Sequence, residues 1–351
     1  MVRDLHSRAT GNKDGEELGG VTNRYAIGVF QAYAGHFHAS LIEELRLHSD
    51  VADIEPDQIL DAWLKRLVKQ KRAPYNLHRI SHRGVDDPDN YWYISSAGSG
   101  TYVYVVDSGI NKRHVEFGSR ASFGYNAFAN TSAHDTDGHG TYIAGIIGGK
   151  TYGVAKKTNL IALKIIDNKR TSTSIMLEGY HWAVNNILKK EQAQKSAISL
   201  SVSGRYQKAI NDAIDAAFRK GVVTVVPAGD SGINAKAVSP ASAKHAITVG
   251  ASDQTRARAN FSNFGPAVNI FAPGVDICAA WNDKKNKGIR KATGTAEAAA
   301  HVAALVVYFT AFNLLRTAEM TWAFLQIVST AGVVSNAARS SDLFAYNLSG
   351  K

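Results

Sequence analysis

Tyr102-Val103-Tyr104-Val105-Val106-Asp107-Ser108-Gly109 is an apolar run that ends in a carboxylate and two turn residues. Aromatic and β-branched residues in an unbroken stretch of this length predict a strand. Outward from it the pattern repeats at Leu160 to Ile166, Ala197 to Val202, Val222 to Val226 and Ala246 to Val249, with helical segments between. That alternation predicts an α/β fold, a parallel sheet with helices on both faces. Ligands of such sheets bind beyond the carboxyl ends of the strands, so chemistry is expected just after each run. Asp107 stands at such a tip, although Asp before Ser-Gly is by itself ordinary turn chemistry.

Two further segments carry chemical residues. Asp137-Gly138-His139-Gly140-Thr141 opens an apolar helical stretch, Tyr142 to Ile147. Flanking glycines let backbone approach a substrate and leave the imidazole uncovered, as a general base requires, while a satisfied histidine in a glycine-rich turn would read the same way. Gly294-Thr295-Ala296-Glu297-Ala298-Ala299-Ala300-His301-Val302-Ala303 begins an alanine-rich helix reaching about Phe312. Asp, then His, then a small residue at a helix start is the chain order of a subtilisin-type triad.

On these residues the chain resembles the subtilases, most closely the proteinase K-like alkaline proteases of fungi. Ala73-Pro74-Tyr75-Asn76-Leu77 looks like the start of their mature domain, and Thr151-Tyr152-Gly153-Val154-Ala155-Lys156-Lys157, Val249-Gly250-Ala251-Ser252-Asp253 and Phe261-Ser262-Asn263-Phe264-Gly265 extend the match. Phe30 to Phe37 with Val51 to Asp57 is similar to the second part of their inhibitory propeptide. The resemblance implies a subtilisin-like domain over 73–351 preceded by a truncated propeptide-like α+β domain and connector over 1–72. It also implies Asp107 as the orienting acid and His139 as the base.

The chain departs from the family pattern at several places. Ala296 holds the nucleophile's place and has no oxygen with which to attack a carbonyl. Asp230, in Pro227-Ala228-Gly229-Asp230, replaces the amide that stabilises the oxyanion, and a carboxylate there repels developing negative charge. Side chains in Ser201-Val202-Ser203-Gly204-Arg205 replace a bare glycine edge and are expected to narrow the cleft. Asn269 stands where the family's main calcium site has an aspartate; no metal and no cofactor is expected. Glu297 reads either as a favourable acid in the first helical turn, after a Thr295 cap, or as part of the cleft.

The 351 residues carry a formal net charge of +10, with Lys and Arg spread along the chain and no nucleic-acid motif. The basic run Lys65, Arg66, Lys69, Lys71, Arg72 reads as a solvated connector, within a helical or irregular stretch over 59–72. Cys278 alone permits no intrachain disulfide. Met1 to Lys13 has no apolar stretch that could be a signal peptide, and no segment has membrane-spanning character, so no nucleic-acid or membrane partner is expected. The chain reads as intracellular as written, and as secreted if a leader was trimmed. Within 1–72 the pattern predicts a loop over 1 to about 22, a strand at Tyr25 to Phe30, a helix at Ala39 to Leu47 and a strand at Val51 to Glu55 stopped by Pro56. Asp4-Leu5-His6-Ser7 resembles the end of the propeptide's first helix.

These departures lead to the expectation that serine peptidase activity is lost. Asp107, His139 and Asp230 would perform acid/base chemistry, namely isomerisation, elimination or cyclisation, on a small molecule, with Ser201, Val202, Ser203, Arg205, Ala228, Gly229, Thr295 and Glu297 lining the cleft. The alternatives are a non-catalytic pseudoprotease that binds a ligand or partner, and an endopeptidase disabled by an engineered Ser to Ala change. Without a nucleophile the propeptide-like domain would stay attached in cis, uncut near Lys71-Arg72-Ala73-Pro74.

Overall fold

The computed structural model describes residues 20–27, 30–55, 67–84, 89–129, 131–312, 315 and 317–351. The segments expected over 1–19 and 59–66, with Pro56 and Asp57, lie outside the described residues. The chain divides into two compact units, Met1–Leu64 and Lys65–Lys351.

In the smaller unit β1 (Gly20–Ile27) pairs antiparallel with β2 (Phe30–His36), and the register sets Ile27 opposite Phe30. The single strand expected over Tyr25 to Phe30 is therefore the junction of a hairpin. Helix α1 (Ala39–Arg46) follows, capped by the His38 ring, which accepts the Ser40 N–H. Val51 to Glu55, expected as a strand, has no regular structure. The Asp53 carboxylate there accepts the Ile54 N–H at 2.8 Å, diverting a donor that a strand would use in pairing.

The larger unit is built on a nine-stranded sheet of order β16-β17-β13-β12-β10-β8-β5-β7-β6. Its strands are β5 (Tyr102–Asp107), β6 (Ala121–Asn126), β7 (Asn159–Lys164), β8 (Ser196–Leu200), β10 (Val223–Pro227), β12 (Ile247–Ser252), β13 (Ile270–Pro273), β16 (Thr330–Ala331) and β17 (Leu343–Phe344). All pairs are parallel except β16 with β17. The five apolar runs noted in the sequence are β5, β7, β8, β10 and β12.

Alternation along these strands feeds two cores. Val103, Val105, Ala197 and Val225 face one, which contains α3 (His139–Gly148) and α6 (Thr295–Thr310). Tyr104, Val106, Ile198, Leu200 and Val226 face the other, against α4 (Thr173–Lys189) and α5 (Lys208–Phe218). Helix α6 is buried along nearly its whole length, and its run of alanines lets it lie close to the sheet. Helix α2 (Tyr75–Ser81) begins the first core, and α7 (Ala318–Val328) packs late in the chain.

Part of the expected connector is not irregular. Leu67–Lys71 forms β3, paired antiparallel with β4 (Asn90–Ile94), with Lys69 over the Trp92 ring. These residues belong to the larger unit. Two short ladders complete it: β9 (Gly204–Arg205) with β11 (Val238–Ser239), and β14 (Ile277–Trp281) with β15 (Gly288–Ala292).

The end of β7 carries a buried cation. Lys164 is 1% exposed; its ammonium pairs with Asp167 at 2.7 Å and donates to the carbonyls of Ser132 and His134 and to Thr136 Oγ1. This gathers the loop preceding α3. Lys164→Met leaves those acceptors unpaired and is expected to lower unfolding stability by about 2–4 kcal/mol, read from chemical denaturation; a loss under about 0.5 kcal/mol, the range of ordinary surface changes, would show that the ammonium does not organise the loop.

Candidate active site

The ends of β5, β8 and β10 and the starts of α3 and α6 converge here. Asp107, last residue of β5, is fully buried, and its Oδ1 accepts the Ser108 N–H at 2.7 Å. His139 is the first residue of α3 and follows Gly138, which has a left-handed φ of 93°. Its Nδ1 lies 2.8 and 2.9 Å from the two Asp107 carboxylate oxygens, so the ring is held by that edge and Nε2 is left for chemistry. About a third of the side chain is exposed.

A second carboxylate fixes this pair. Buried Asp135 accepts the Gly138 N–H and the Ser108 hydroxyl at 2.8 Å through Oδ1, and the Thr141 N–H and hydroxyl through Oδ2. Ser108 Oγ in turn accepts the Gly140 N–H at 2.8 Å. A β-carbon on Gly140 would sit 2.1 Å from the Gly109 carbonyl oxygen, so only glycine allows the two loops to touch. Asp135 escaped the sequence reading because the motif was opened at Asp137; a carboxylate four residues before the histidine was the available signal.

The opposite wall is Ala228-Gly229-Asp230 at the end of β10. Gly229 has a φ of 101° and donates its N–H to Thr295 Oγ1 at 3.0 Å. Asn263 clamps this loop: its amide donates to the Ala228 carbonyl at 2.8 Å and its Oδ1 accepts from Ser231 and Ile233. Asp230 is exposed, and its Oδ1 accepts the Thr295 N–H at 2.8 Å, the first amide of α6. Thr295 therefore does not cap the helix with its own hydroxyl; Asp230 serves that amide from across the cleft.

Ala296 is half-buried beside the fully buried Ala298. Glu297 is 4% exposed, and its own backbone N–H lies close enough to its carboxyl to favour the ionised form. Oε2 of Glu297 and Oδ2 of Asp230 lie 2.6 and 3.3 Å from the point where a Gly294 β-carbon would stand, against one face of that glycine. The Glu297 carbonyl accepts from His301 Nδ1, while Asn76 Nδ2 donates to His301 Nε2, both at 2.7 Å.

Of the remaining cleft residues, Ser201 is buried, Val202 half-buried, and Ser203 and Arg205 exposed. Ser203 Oγ lies 3.0 Å from the β-carbon position of Gly229, so the two walls approach there, whereas around Gly204 the edge is open. The Oδ1 of Asn269 accepts the Thr248 N–H at 2.7 Å. Its amide lacks the negative charge of a carboxylate ligand and already takes a backbone N–H, so this side chain is a weaker calcium ligand than the aspartate it replaces, and no step is routed through a metal.

Electrostatics couples the site. Burial opposes a charged His139, yet the charge and hydrogen bond of Asp107, helped by Glu297 and Asp137, raise its pKa to about 9. Burial raises that of Glu297 to about 7; its own N–H and the charge of His139 lower it, and Asp230 and Asp107 raise it.

A parallel sheet with a buried Asp paired to a partly exposed His at its carboxyl edge, near the start of a buried helix, defines the subtilisin class. The chain belongs to the subtilase family: residues 98–344 match the subtilase family model, and residues 1–62 match that of peptidase inhibitor I9. It is 45% identical to alkaline protease 1 of Aspergillus clavatus over 98% of this chain and 84% of that protein, and 43% identical to the alkaline proteinase of Hapsidospora chrysogena over 95% and 84%. A solved cold-adapted subtilisin-like serine proteinase superposes with a TM-score of 0.74 at 31% identity, covering 79% of this chain and 99% of that one.

These relatives overturn the expected function. Likeness to alkaline proteases over nearly the whole chain supports a serine peptidase; it speaks against a loss of that activity, against repurposing for small-molecule isomerisation, elimination or cyclisation, and against a pseudoprotease. The expectation weighted a few cleft substitutions above the scaffold that surrounds them. Among the described residues no helix is long and apolar enough to cross a membrane.

The raised pKa of Glu297 makes a stability prediction. The folded state binds the proton more tightly than the unfolded chain, so the stabilisation is complete below about 4.5 and is lost as pH rises through about 7. Glu297→Gln removes that loss and is expected to stabilise the protein by roughly 1–3 kcal/mol at pH 8, with no gain at pH 4. Calorimetry at the two pH values checks this; an equal effect at both would show that the carboxyl does not titrate in the folded state.

Proposed function

We infer that the chain acts on polypeptide as an endopeptidase of the subtilase kind. The observation that carries this is the Asp107–His139 contact at 2.8 Å, with the ring presented to the start of α6. An extended polypeptide lies along the exposed edge at Ser203 to Arg205, opposite Ala228-Gly229-Asp230, and its scissile carbonyl sits over residue 296. His139 is the base that activates the attacking oxygen, and Asp107 fixes its tautomer and supports the imidazolium that forms.

Serine acyl transfer needs a hydroxyl at position 296, where this sequence has alanine. The relatives' names favour the peptidase class, and Ala296, together with the acidic Asp230, separates the geometry from the covalent route. The family assignment of residues 1–62 supports an inhibitor-like segment in cis, preceding the strand β3 that pairs within the larger unit. The intracellular expectation rested on where the sequence begins and is withdrawn; secretion fits a peptidase of this kind better.

Loss of a nucleophilic serine costs about a millionfold in such sites. Ala296→Ser is therefore expected to raise cleavage of a denatured protein substrate by at least about a hundredfold, allowing for the acidic Asp230, and to create a site for fluorophosphonate labelling. Absence of both, in a variant that folds, would overturn the peptidase reading.

A further inference from the structure

The hairpin of β14 and β15 is fastened to the loops that carry Asp107 and His139. A β-carbon on Gly138 would stand 2.6 Å from the Trp281 ring, so the indole lies directly on the residue that precedes His139. The Tyr142 hydroxyl of α3 donates to the Ile277 carbonyl at 2.5 Å, and Asn282 Nδ2 donates to the Asp135 carbonyl. Asn111, just beyond Asp107, donates through Nδ2 to Asn282 Oδ1 at 2.8 Å and to Asn286 Oδ1 at 2.9 Å. The hairpin is therefore a fixed rim of the site.

Its charge is one-sided. Lys284, Lys285, Lys287, Arg290 and Lys291 are all exposed and stand against one acid, Asp283. That carboxylate is used by the turn: it accepts the Lys287 N–H at 2.8 Å. None of the five cations forms an ion pair among the described residues. Arg290 is tied to the site through a single ring, since its guanidinium carbon lies 4.2 Å from the centre of the Trp281 ring that rests on Gly138. A guanidinium stacked in this way keeps its edge donors for a carboxylate. A run of charge alone is a solvated face, but such a face needs no anchoring to the catalytic loops.

Resting on the peptidase reading above, we propose that the β14–β15 hairpin is a carboxylate-reading subsite, with Arg290 as its inner cation, for the half of the polypeptide that leaves as the amine. The acyl half lies along the Ser203 to Arg205 edge, and the leaving nitrogen takes its proton from His139, beside which the hairpin stands. At about 3.3 Å per residue, β15 spans about 13 Å, the reach of about four residues of extended peptide. The reading thus falls on positions two to four after the scissile bond. The bond itself lies among Asp107, Asp137, Asp230 and Glu297, which disfavour a further carboxylate there. The substrate class is polypeptide that turns acidic just beyond the cut.

The test uses the full chain and two labelled, extended peptides that differ only in Glu or Gln at those positions, with binding read by anisotropy. The Glu peptide is expected to bind about five to ten times tighter at about 0.05 M salt and about equally at about 0.5 M, because exposed pairs are screened. Arg290→Gln should shrink the difference, and adding Lys284→Gln, Lys285→Gln and Lys287→Gln should abolish it. Lys208→Gln, an exposed cation of α5 on the other side of the sheet, should leave it intact. With Ala296→Ser, the preference should appear in KM and not in kcat, and cuts in denatured proteins, mapped by mass spectrometry, should be enriched in Asp and Glu two to four residues after the cut. Equal binding at low salt, or a preference that survives all four changes, would overturn the proposal. Cleavage by Ala296→Ser without acidic enrichment would overturn it too and leave the peptidase reading intact. Acidic preference in binding with no cleavage by Ala296→Ser would overturn the peptidase reading and not the subsite. Binding of neither peptide, with no cleavage, would overturn both.

Discussion

The contact between Asp107 and His139 depends on two loops being pressed together at the carboxyl edge of the sheet. Asp135 takes the Ser108 hydroxyl from one loop and the Gly138 and Thr141 amides from the other, Ser108 takes the Gly140 amide, and Gly140 leaves room for the Gly109 carbonyl. Lys164 holds the approach to the second loop by filling a ring of carbonyls with its own ammonium. Each device uses a buried polar group that is satisfied by several partners, and such groups fix geometry because any other arrangement leaves them unpaired.

Across the cleft, the start of α6 is set by groups outside the helix. Asp230 takes its first amide, Gly294 donates to the Gly274 carbonyl, and Thr295 reaches back to Gly229. The position of residue 296 relative to His139 is thus a property of the scaffold and does not depend on which side chain 296 carries. This explains how the surroundings remain those of a peptidase around an alanine. The excess of carboxylates has an electrostatic consequence: Asp107, Asp137 and Glu297 together keep His139 protonated well above its ordinary range, and His139 in turn eases the ionisation of Glu297.

Much of this was legible because short apolar runs end in chemically distinctive residues. Strands β5, β7, β8, β10 and β12 follow from composition, and Asp107 and His139 follow from their place at the tips. The roles of Lys164 and Asn263 were not legible, since each acts on backbone groups distant in sequence that only the fold brings near; Asp135, which binds amides close to it in the chain, was passed over although its place before His139 was a signal. Val51 to Glu55 misled for a local reason, because Asp53 competes for a backbone donor. The functional reading failed differently. Ala296, Asp230 and the 201–205 edge stand out as departures from the family pattern, but their weight was judged without the surrounding scaffold, whose likeness to alkaline proteases spans nearly the whole chain.

The central claim is that His139 and Glu297 form one coupled acid–base system oriented by Asp107. Nitrogen-detected NMR of the His139 imidazole, titrated from pH 5 to 10 in the folded full chain, tests it most directly. The account predicts a main transition near pH 9 and a smaller inflection near pH 7, where Glu297 ionises. A single transition at or below about 6.5, the value of an isolated imidazole, would contradict it.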